Sequence, residues 1–370
     1  MNITLLVSCA MGLETVLKYE LFDLGYKELQ IDNGMIRLNG TLEDACTLNL
    51  WLRTAGRVFI EIGQFNATTF DALFDNVTAL PWSDWIPANG ACAVTHVHSH
   101  QSELFSKSDI QAISKKAIIT AIMKGHNTQL CPETGPEFPV RIAVQNNKVS
   151  VRLDTSGHGL NKRGYRSRFD APLRETLAAG LLKLSRWNPQ NDALLDPCCG
   201  SGTILIEAAM MAYNIAPGLR QTFCAESWPI FGDSLWSTAR KNAQDSQTPC
   251  KVRMYGSDQN ADILTTARYN IQTMGLENIF VETKDIKDIR SRFDCGKIIC
   301  NPPYGIRLEE QRSTHAMYAT MGKVFAAQFP KWDYYILTAN DQFEIHFNAD
   351  ATKKRKLFNG NLRCDLYQYF

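Results

Sequence analysis

The run Leu194-Leu195-Asp196-Pro197-Cys198-Cys199-Gly200-Ser201-Gly202-Thr203 decides the fold class of this chain. An apolar strand stops in a turn with two glycines and leads into an apolar run with helix-forming residues. Glycines let the backbone approach a ligand, and a helix N-terminus offers unpaired N–H groups and positive potential. No Gly-Lys-Ser/Thr follows, which argues against a phosphate-binding Walker loop. The turn predicts either a small-molecule site or a tight strand-to-helix connection.

Acidic residues follow the next two strands in the same way. Tyr255-Gly256-Ser257-Asp258 places a carboxylate where it could accept both ribose hydroxyls of a nucleoside-type cofactor. Lys284-Asp285-Ile286 repeats the arrangement one strand later, where Asp285 could accept an adenine amino proton. Each aspartate alone would more commonly cap a turn or a helix. Three such strand ends in succession favour a bound ligand.

The run Asn301-Pro302-Pro303-Tyr304-Gly305 follows a fourth strand. Consecutive prolines cannot continue a sheet, and they fix the direction of the neighbouring carbonyls. The Asn301 side-chain oxygen and the Pro302 carbonyl could accept the protons of an exocyclic amine and hold its lone pair toward an electrophile. Tyr304 could stack on the ring that carries the amine. The pattern predicts an enzyme acting on a planar nitrogen compound, and the alternative is a rigid surface turn.

Strands and helices alternate from about residue 165 to the C-terminus. This alternation predicts an α/β fold with a mostly parallel, doubly wound sheet, whose ligands bind beyond the C-terminal ends of the strands. The final run, Leu362–Tyr369, predicts an antiparallel edge strand. Upstream, residues 1–60 and 65–155 each combine short β-rich runs with one amphipathic stretch. They predict two small α+β units.

Composition limits the class of protein. The chain has 370 residues, 45% hydrophobic and 21% charged, which fits two or three folded domains and argues against extensive disorder. The formal net charge is +1, so binding to nucleic acid would depend on local basic patches. Eleven cysteines without a CxxC pair predict reduced thiols and no structural metal. Without an apolar span or a leader-like segment, we expect a cytoplasmic protein and no membrane partner.

The residues now resemble a known group. The glycine turn is similar to the S-adenosylmethionine loop of Rossmann-like class I methyltransferases, and Asn301–Tyr304 resembles the NPPY motif of those acting on exocyclic or amide nitrogens. Leu160-Asn161-Lys162-Arg163-Gly164-Tyr165-Arg166 and Ala171-Pro172-Leu173-Arg174-Glu175-Thr176 resemble the segment that opens the catalytic domain of THUMP-domain RNA methyltransferases of the RlmL/YpsC type. The resemblance implies a ferredoxin-like domain at 1–64, a THUMP RNA-binding domain at 65–160 and a methyltransferase domain with a seven-stranded, mostly parallel sheet at 161–370.

The same resemblance implies an activity. It is the transfer of a methyl group from the cofactor S-adenosyl-L-methionine to N2 of a guanine in RNA. The preferred substrate is 23S rRNA (a guanine-2445-type site) or a ribosome-assembly intermediate, with tRNA second. The implied cofactor-binding residues are Asp196, Cys198, Gly200, Gly202, Thr203, Asp258 and Asp285, and the implied catalytic residues are Asn301, Pro302 and Tyr304. Larger relatives carry a second methyltransferase domain, and we expect this chain to lack that second activity.

Reaching a guanine in folded RNA requires the base to leave its stack, so the protein must also grip the RNA backbone. The predicted RNA-binding residues mix basic side chains with one aromatic ring: Lys162, Arg163, Tyr165, Arg166 and Arg168. The alternative is a solvated interdomain connector. The basic run Lys353–Lys356 predicts a hairpin turn that either contacts RNA or faces solvent.

Two other functions stay open. The first is an enzyme acting on another amine, such as adenine N6 in DNA or a protein glutamine amide, although the RNA-binding character of the first 150 residues opposes it. The second is an RNA-binding or assembly protein that keeps the fold without turnover. The histidines His96, His98 and His100 predict an exposed strand face rather than a metal site. Trp228, Phe231 and Trp236 predict the packing of an inserted helix rather than a wall of the base pocket.

Overall fold

The computed structural model describes residues 1–166, 173–291, 293–305 and 308–370. The first of its two seven-stranded sheets uses residues up to 154. Its elements are β1 (Ile3–Cys9), α1 (Glu14–Asp23), β2 (Gln30–Asp32), β3 (Met35–Gly40), α2 (Leu42–Trp51), β4 (Ala55–Asn66), α3 (Phe70–Thr78), α4 (Trp82–Trp85), β5 (Ala91–His100), α5 (Lys107–Gly125), β6 (Glu137–Gln145) and β7 (Lys148–Asp154).

The two N-terminal α+β units share this sheet. Its strand order is β2-β3-β1-β4-β7-β6-β5, and the twelve-residue strand β4 pairs with β1 along one part and with β7 along the rest. Side chains alternate between its faces, as a strand requires. Leu5 and Val7 join the core under the helices, whereas Thr4 and Ser8 lie on the opposite face, which is open.

The second sheet contains the predicted alternation. Its elements are α6 (Glu175–Leu184), β8 (Ala193–Asp196), α7 (Thr203–Ala212), the 3₁₀ turns Cys224–Ser227 and Pro229–Phe231, α8 (Leu235–Asp245), β9 (Met254–Asp258), α9 (Ala261–Met274), β10 (Ile279–Thr283), the 3₁₀ turn Ile286–Asp288, β11 (Gly296–Cys300), α10 (Leu308–Gln328), β12 (Trp332–Thr338), α11 (Phe343–Phe347), β13 (Lys353–Asn359) and β14 (Leu362–Tyr369).

The strand order of this sheet is β10-β9-β8-β11-β12-β14-β13. Neighbours from β10 through β12 are parallel, and β14 is antiparallel to both of its neighbours. The mostly parallel, seven-stranded α/β sheet predicted for the C-terminal part is therefore confirmed. The prediction of a turn at Lys353–Lys356 is wrong, because these residues belong to β13. The reversal comes at Gly360, whose φ of +66° suits glycine.

The long insertion between α7 and β9 packs against the N-terminal domains. Trp228, Phe231 and Trp236 are all buried in the core of the first sheet. The indole N–H of Trp228 donates to the carbonyl of Glu137 at 2.8 Å, and its ring stacks on Phe138. The packing predicted for this insertion is confirmed, and its partner is the N-terminal half of the chain. Across the described ranges, no helix has the length and apolar character that crossing a bilayer requires.

Candidate active site

The glycine turn between β8 and α7 depends on two left-handed residues. Gly200 has a φ of +52° and Gly202 a φ of +82°, both unfavourable for residues with a side chain. A Cβ on Gly202 would lie 3.4 Å from the Cβ of Ala267, whereas a Cβ on Gly200 would meet no atom within 4 Å. Gly202 therefore lies against α9, and Gly200 faces open space where a ligand can approach the backbone.

Two carboxylates hold this turn. Asp196 ends β8, is 1% exposed and accepts the N–H of Cys198 at 3.1 Å. Asp258 ends the neighbouring strand β9, and its Oδ2 accepts the N–H of Gly200 at 3.1 Å. Burial raises the pKa of Asp196 well above its usual range, and the nearby charge of Asp258 acts in the same direction.

This pair of carboxylates suits a cationic ligand. Neither Asp196 nor Asp258 forms an ion pair with any residue of the described ranges. A positively charged group in front of Gly200 would offset the cost of the buried negative charge. The donors and acceptors of the turn thus fit a compact cation such as a sulfonium.

Two other residues of the glycine turn, Cys198 and Thr203, were also predicted to bind the cofactor. The thiol of Cys198 has a pKa raised above the ordinary value by burial, so it stays protonated and is no nucleophile. Thr203 starts α7, is buried, and its hydroxyl lies 3.4 Å from a guanidinium nitrogen of Arg166. The hydroxyl of Thr203 therefore faces the connector segment.

Asp285 follows β10 at the third strand end. Its carboxylate accepts the backbone N–H of Lys287 at 3.0 Å, which lowers its pKa, and it also pairs with the ammonium group of Lys287 at 3.2 Å. The side chain caps the 3₁₀ turn Ile286–Asp288 and stays partly exposed. Its role toward adenine stays a prediction.

The run that follows β11 has a fixed conformation. The hydroxyl of Tyr304 donates to the side-chain oxygen of Asn301 at 2.5 Å, and burial raises the pKa of Tyr304, so this hydroxyl keeps its proton. Gly305, at a φ of +62°, would bring a Cβ within 2.8 Å of Thr314 on α10. Within the described part of the chain, no donor reaches the carbonyl of Pro302. Two acceptors, on Asn301 and Pro302, are thus held on one short turn.

Two residues that support this turn, Tyr318 and Asn340, were not predicted from the sequence. The hydroxyl of Tyr318 on α10 donates to the carbonyl of Pro303 at 2.7 Å and lies 3.0 Å from the hydroxyl of Thr338. Asn340, just after β12, donates its amide to the carbonyl of Tyr304 at 3.1 Å. A signal existed for Asn340, because it follows an apolar strand as Asn301 does. Tyr318 carries no such signal.

All four strand ends lie side by side, because β10, β9, β8 and β11 are consecutive in the sheet. The thiol of Cys300, which ends β11, has a raised pKa owing to burial and also to the neighbouring Cys198 and Asp196. The Asn301–Tyr304 turn therefore lies next to the glycine turn, because the strands that precede them, β11 and β8, are neighbours in the sheet. This is the arrangement that methyl transfer between two bound molecules requires.

Two predicted RNA contacts need correction. Arg163 and Tyr165 are each 2% exposed, so RNA cannot reach them in this structure. Arg163 forms a buried ion pair with Glu207 at 3.2 Å, and the Tyr165 hydroxyl lies 3.5 Å from the same carboxylate. Burial of the guanidinium is tolerated because Glu207 neutralises it.

The remaining connector residues differ in their surroundings. Lys162 is exposed, whereas Arg166 is partly buried and pairs with Glu175 at 3.0 Å. Both line one groove on the open face of the first sheet. Arg168 lies outside the described residues.

Comparisons with known proteins agree with this geometry. Residues 163–368 match the family described as RMKL-like, methyltransferase domain; residues 4–59 match the RlmL ferredoxin-like domain, and residues 67–154 match the THUMP domain. YpsC of Bacillus subtilis (strain 168), provisionally named an RNA methyltransferase, is 40% identical over 372 residues, which cover 99% of this chain and 96% of YpsC.

A longer relative is the ribosomal RNA large subunit methyltransferase K/L of Psychromonas ingrahamii. It is 34% identical over 374 residues, which cover 98% of this chain and 49% of the relative. The chain therefore spans about half the length of that enzyme.

A solved structure shows the same fold with a ligand bound. SMU.472, provisionally named a methyltransferase, was solved in complex with S-adenosylhomocysteine. It matches this structure with a TM-score of 0.94 at 37% identity, over 100% of this chain and 98% of SMU.472. With the glycine turn, the paired carboxylates and these matches together, the chain belongs to the RMKL-like family of S-adenosylmethionine-dependent class I methyltransferases, with an RlmL ferredoxin-like domain and a THUMP domain before the catalytic domain.

Proposed function

We propose that this enzyme methylates the exocyclic N2 of a guanine in RNA, with 23S rRNA (a guanine-2445-type site) as the preferred substrate and tRNA as the second choice. The observation that carries the proposal is the adjacency of the Asn301–Tyr304 turn to the glycine turn, across β8 and β11. The first turn offers two carbonyl-type acceptors to an amine, and the second offers a backbone opening and two carboxylates to a cation.

The roles proposed for individual residues follow from this placement. Asp258 accepts the ribose hydroxyls of the cofactor and Asp285 its adenine amine, while Gly200 and Gly202 leave room for the methionine part. Asp196 offsets positive charge near the end of β8. Asn301 and Pro302 accept the two N–H protons of the target amine, and Tyr304 flanks the base.

The chemistry needs no strong base. The cofactor supplies a methyl group on a positively charged sulfur, which is already a good leaving group. The guanine nitrogen forms a bond to the methyl carbon while the carbon–sulfur bond breaks, leaving neutral S-adenosylhomocysteine, and one N–H proton then leaves to water. Because Asn301 and Pro302 fix the direction of the nitrogen lone pair, most of the rate comes from positioning. The side-chain oxygen of Asn301 has two lone pairs, so it can accept from the amine while it accepts from the hydroxyl of Tyr304.

An RNA strand would also need a docking surface, and the open face of the first sheet offers one. A groove of about 1420 Å³ runs along this face. Its basic side chains come from both N-terminal units and from the connector: Arg37, Arg57, Arg141, Lys148, Arg152, Lys162, Arg166 and Arg174. Glu61 and Asp154 neutralise part of this charge, but Lys148, Arg152, Lys162 and Arg174 form no ion pair within the described ranges. Such an excess of positive charge favours a phosphate backbone.

The groove leads to the catalytic rim. Arg166 lines the groove, and its guanidinium also reaches the hydroxyl of Thr203 at the start of α7. An RNA lying in the groove would therefore arrive beside the glycine turn. This connection favours a nucleic acid over a protein glutamine amide as the substrate, and the THUMP domain favours RNA over DNA.

The direct test is methyl transfer from tritiated S-adenosylmethionine to separated RNA fractions from cells that lack the protein. Nucleoside mass spectrometry then identifies the product. We expect N2-methylguanosine in large-subunit RNA; label in N6-methyladenosine or in protein would refute the proposal.

A variant at the Asn301–Tyr304 turn separates chemistry from binding. Asn301→Ala should abolish methylation and leave the affinity for S-adenosylhomocysteine within a few-fold. Asn340→Ala is the comparison variant, because it removes the hydrogen bonds to the Tyr304 carbonyl and from the Gln342 N–H but leaves the Asn301 acceptor in place. A large loss of cofactor affinity in Asn301→Ala would place the residue elsewhere. Turnover that survives would remove its proposed role.

A further inference from the structure

One face of the second sheet is only partly covered along β8, β9 and β10. The crossover from β10 to β11 contains, among its described residues, only the 3₁₀ turn Ile286–Asp288, whereas the other crossovers between parallel strands contain helices of ten residues or more. Helices α6, α7 and α9 cover the opposite face. The result is a groove of about 690 Å³, well within the size range of ligand sites.

Aromatic rings form much of this groove. The rings of Tyr255 and Phe280 stack with centroids 5.5 Å apart, and the ring centroid of Phe293 lies 5.8 Å from that of Tyr255. Phe280 is 49% exposed and Phe293 is 42% exposed. Large exposed rings in one groove provide a surface on which a flat, unsaturated molecule can stack.

The rim of the groove carries unneutralised positive charge. Arg268 donates to the carbonyl of Val281 at 3.4 Å and Arg290 to that of Ile289 at 2.7 Å, but neither forms an ion pair in the described part of the chain. Lys284, also on the rim, pairs with Glu282 at 2.6 Å. The combination favours a ligand that is both flat and anionic. A second copy of this chain docked on the same patch would bring like charges together.

We propose that this groove binds one unpaired nucleotide of the RNA substrate, an inference that rests on the proposed function. The base stacks on Phe280 and Phe293, and Arg268 and Arg290 face the phosphate. Stacking on aromatic side chains is how proteins hold single-stranded RNA. The groove would be a second grip on the RNA, separate from the open face of the first sheet.

The test uses the full chain and a fluorescein-labelled single-stranded RNA of about 20 nucleotides. Phe280→Ala should weaken RNA binding roughly 5- to 150-fold, as expected for one lost base stack. Tyr269→Ala is the matched control, an exposed ring on α9, and should stay within about twofold. Both variants should bind S-adenosylhomocysteine as the parent does, which shows that the catalytic domain is folded.

A second pair of measurements does not depend on the Phe280 variant. Arg268→Gln with Arg290→Gln should reduce the slope of log affinity against log salt by about 0.7 for each lost phosphate contact. Ultraviolet cross-linking should attach RNA to peptides that contain Tyr255, Phe280 or Phe293. Unchanged salt dependence together with cross-links confined to residues 1–166 would overturn the inference.

Other occupants give other results. A mononucleotide that binds as tightly as the RNA strand would identify the ligand as a free nucleotide and overturn the proposal. Light scattering that shows a dimer lost in Phe280→Ala, with RNA affinity unchanged, would make the groove an interface between copies. If the parent methylates RNA and Phe280→Ala does so with the same KM, only the groove assignment fails; if no RNA is methylated by the parent, the proposed function fails.

Discussion

Replacing Asp258 with alanine is expected to weaken cofactor binding about 5- to 150-fold. Its two carboxylate oxygens each accept one backbone N–H in the structure, from Gly200 at 3.1 Å and from Asn260 at 3.0 Å. A carboxylate oxygen has two lone pairs, so each oxygen keeps one position for a ribose hydroxyl. Losing these charge-assisted bonds and freeing the N–H of Gly200 corresponds to about 1 to 3 kcal/mol, which gives the stated range.

Isothermal titration calorimetry with S-adenosylhomocysteine measures this loss directly. Asp262→Ala is the matched control, because Asp262 is an exposed aspartate in the first turn of the adjoining helix α9 and should leave the dissociation constant unchanged. Thermal melting checks that both variants are folded. A dissociation constant for Asp258→Ala within twofold of the parent, with an unchanged melting temperature, would refute the ribose assignment.

Three further predictions concern the support of the site, the connector and pH. Tyr318→Phe removes the donor to the Pro303 carbonyl and should slow methylation about 5- to 10-fold while S-adenosylhomocysteine affinity is kept; an unchanged rate would show that the turn needs no such support. Arg163→Met leaves Glu207 buried without its partner and should lower the free energy of unfolding by about 3 to 5 kcal/mol in urea titrations. Lys162→Met should leave the free energy of unfolding unchanged and weaken RNA binding. The opposite pattern would reverse our assignment of the two residues. Burial raises the pKa of Asp196, and below that pKa the acid is neutral and cannot offset a cation. Affinity for S-adenosylmethionine should therefore rise as the pH rises through this pKa, more steeply than affinity for S-adenosylhomocysteine, whose sulfur is uncharged. Identical pH profiles of the two affinities in calorimetry would contradict the role of Asp196.

Short-range patterns were sufficient for much of the fold. The alternation of apolar strands and amphipathic helices after residue 165 predicted the parallel sheet, because each strand and its helix carry their own periodicity. The joining of the two N-terminal units through β4 was not predicted, since strand pairing across more than 80 residues leaves no local signal. The turn predicted at Lys353–Lys356 is wrong because charged residues are common both in turns and on edge strands.

The candidate site, too, was predicted only where the signal is local in the sequence. Asp196, Asp258, Asp285 and Asn301 were placed at strand ends by their own sequence neighbours, and the sheet order brings those ends together. The burial of Arg163 could not be foreseen, because its partner Glu207 lies 44 residues away on helix α7. A basic residue beside an aromatic one resembles a nucleic-acid contact until the structure shows a carboxylate behind it.

The insertion that carries Trp228, Phe231 and Trp236 has a consequence for substrate choice. These three side chains lie in the core of the first sheet although they belong to the segment leading into β9, so the two sheets cannot move apart without exposing them to water. The distance between the groove on the first sheet and the glycine turn is therefore fixed. For any RNA held in that groove, the nucleotide presented for reaction is selected by its distance along the helix from the anchored phosphates, and adding or removing base pairs in between would shift the modified position.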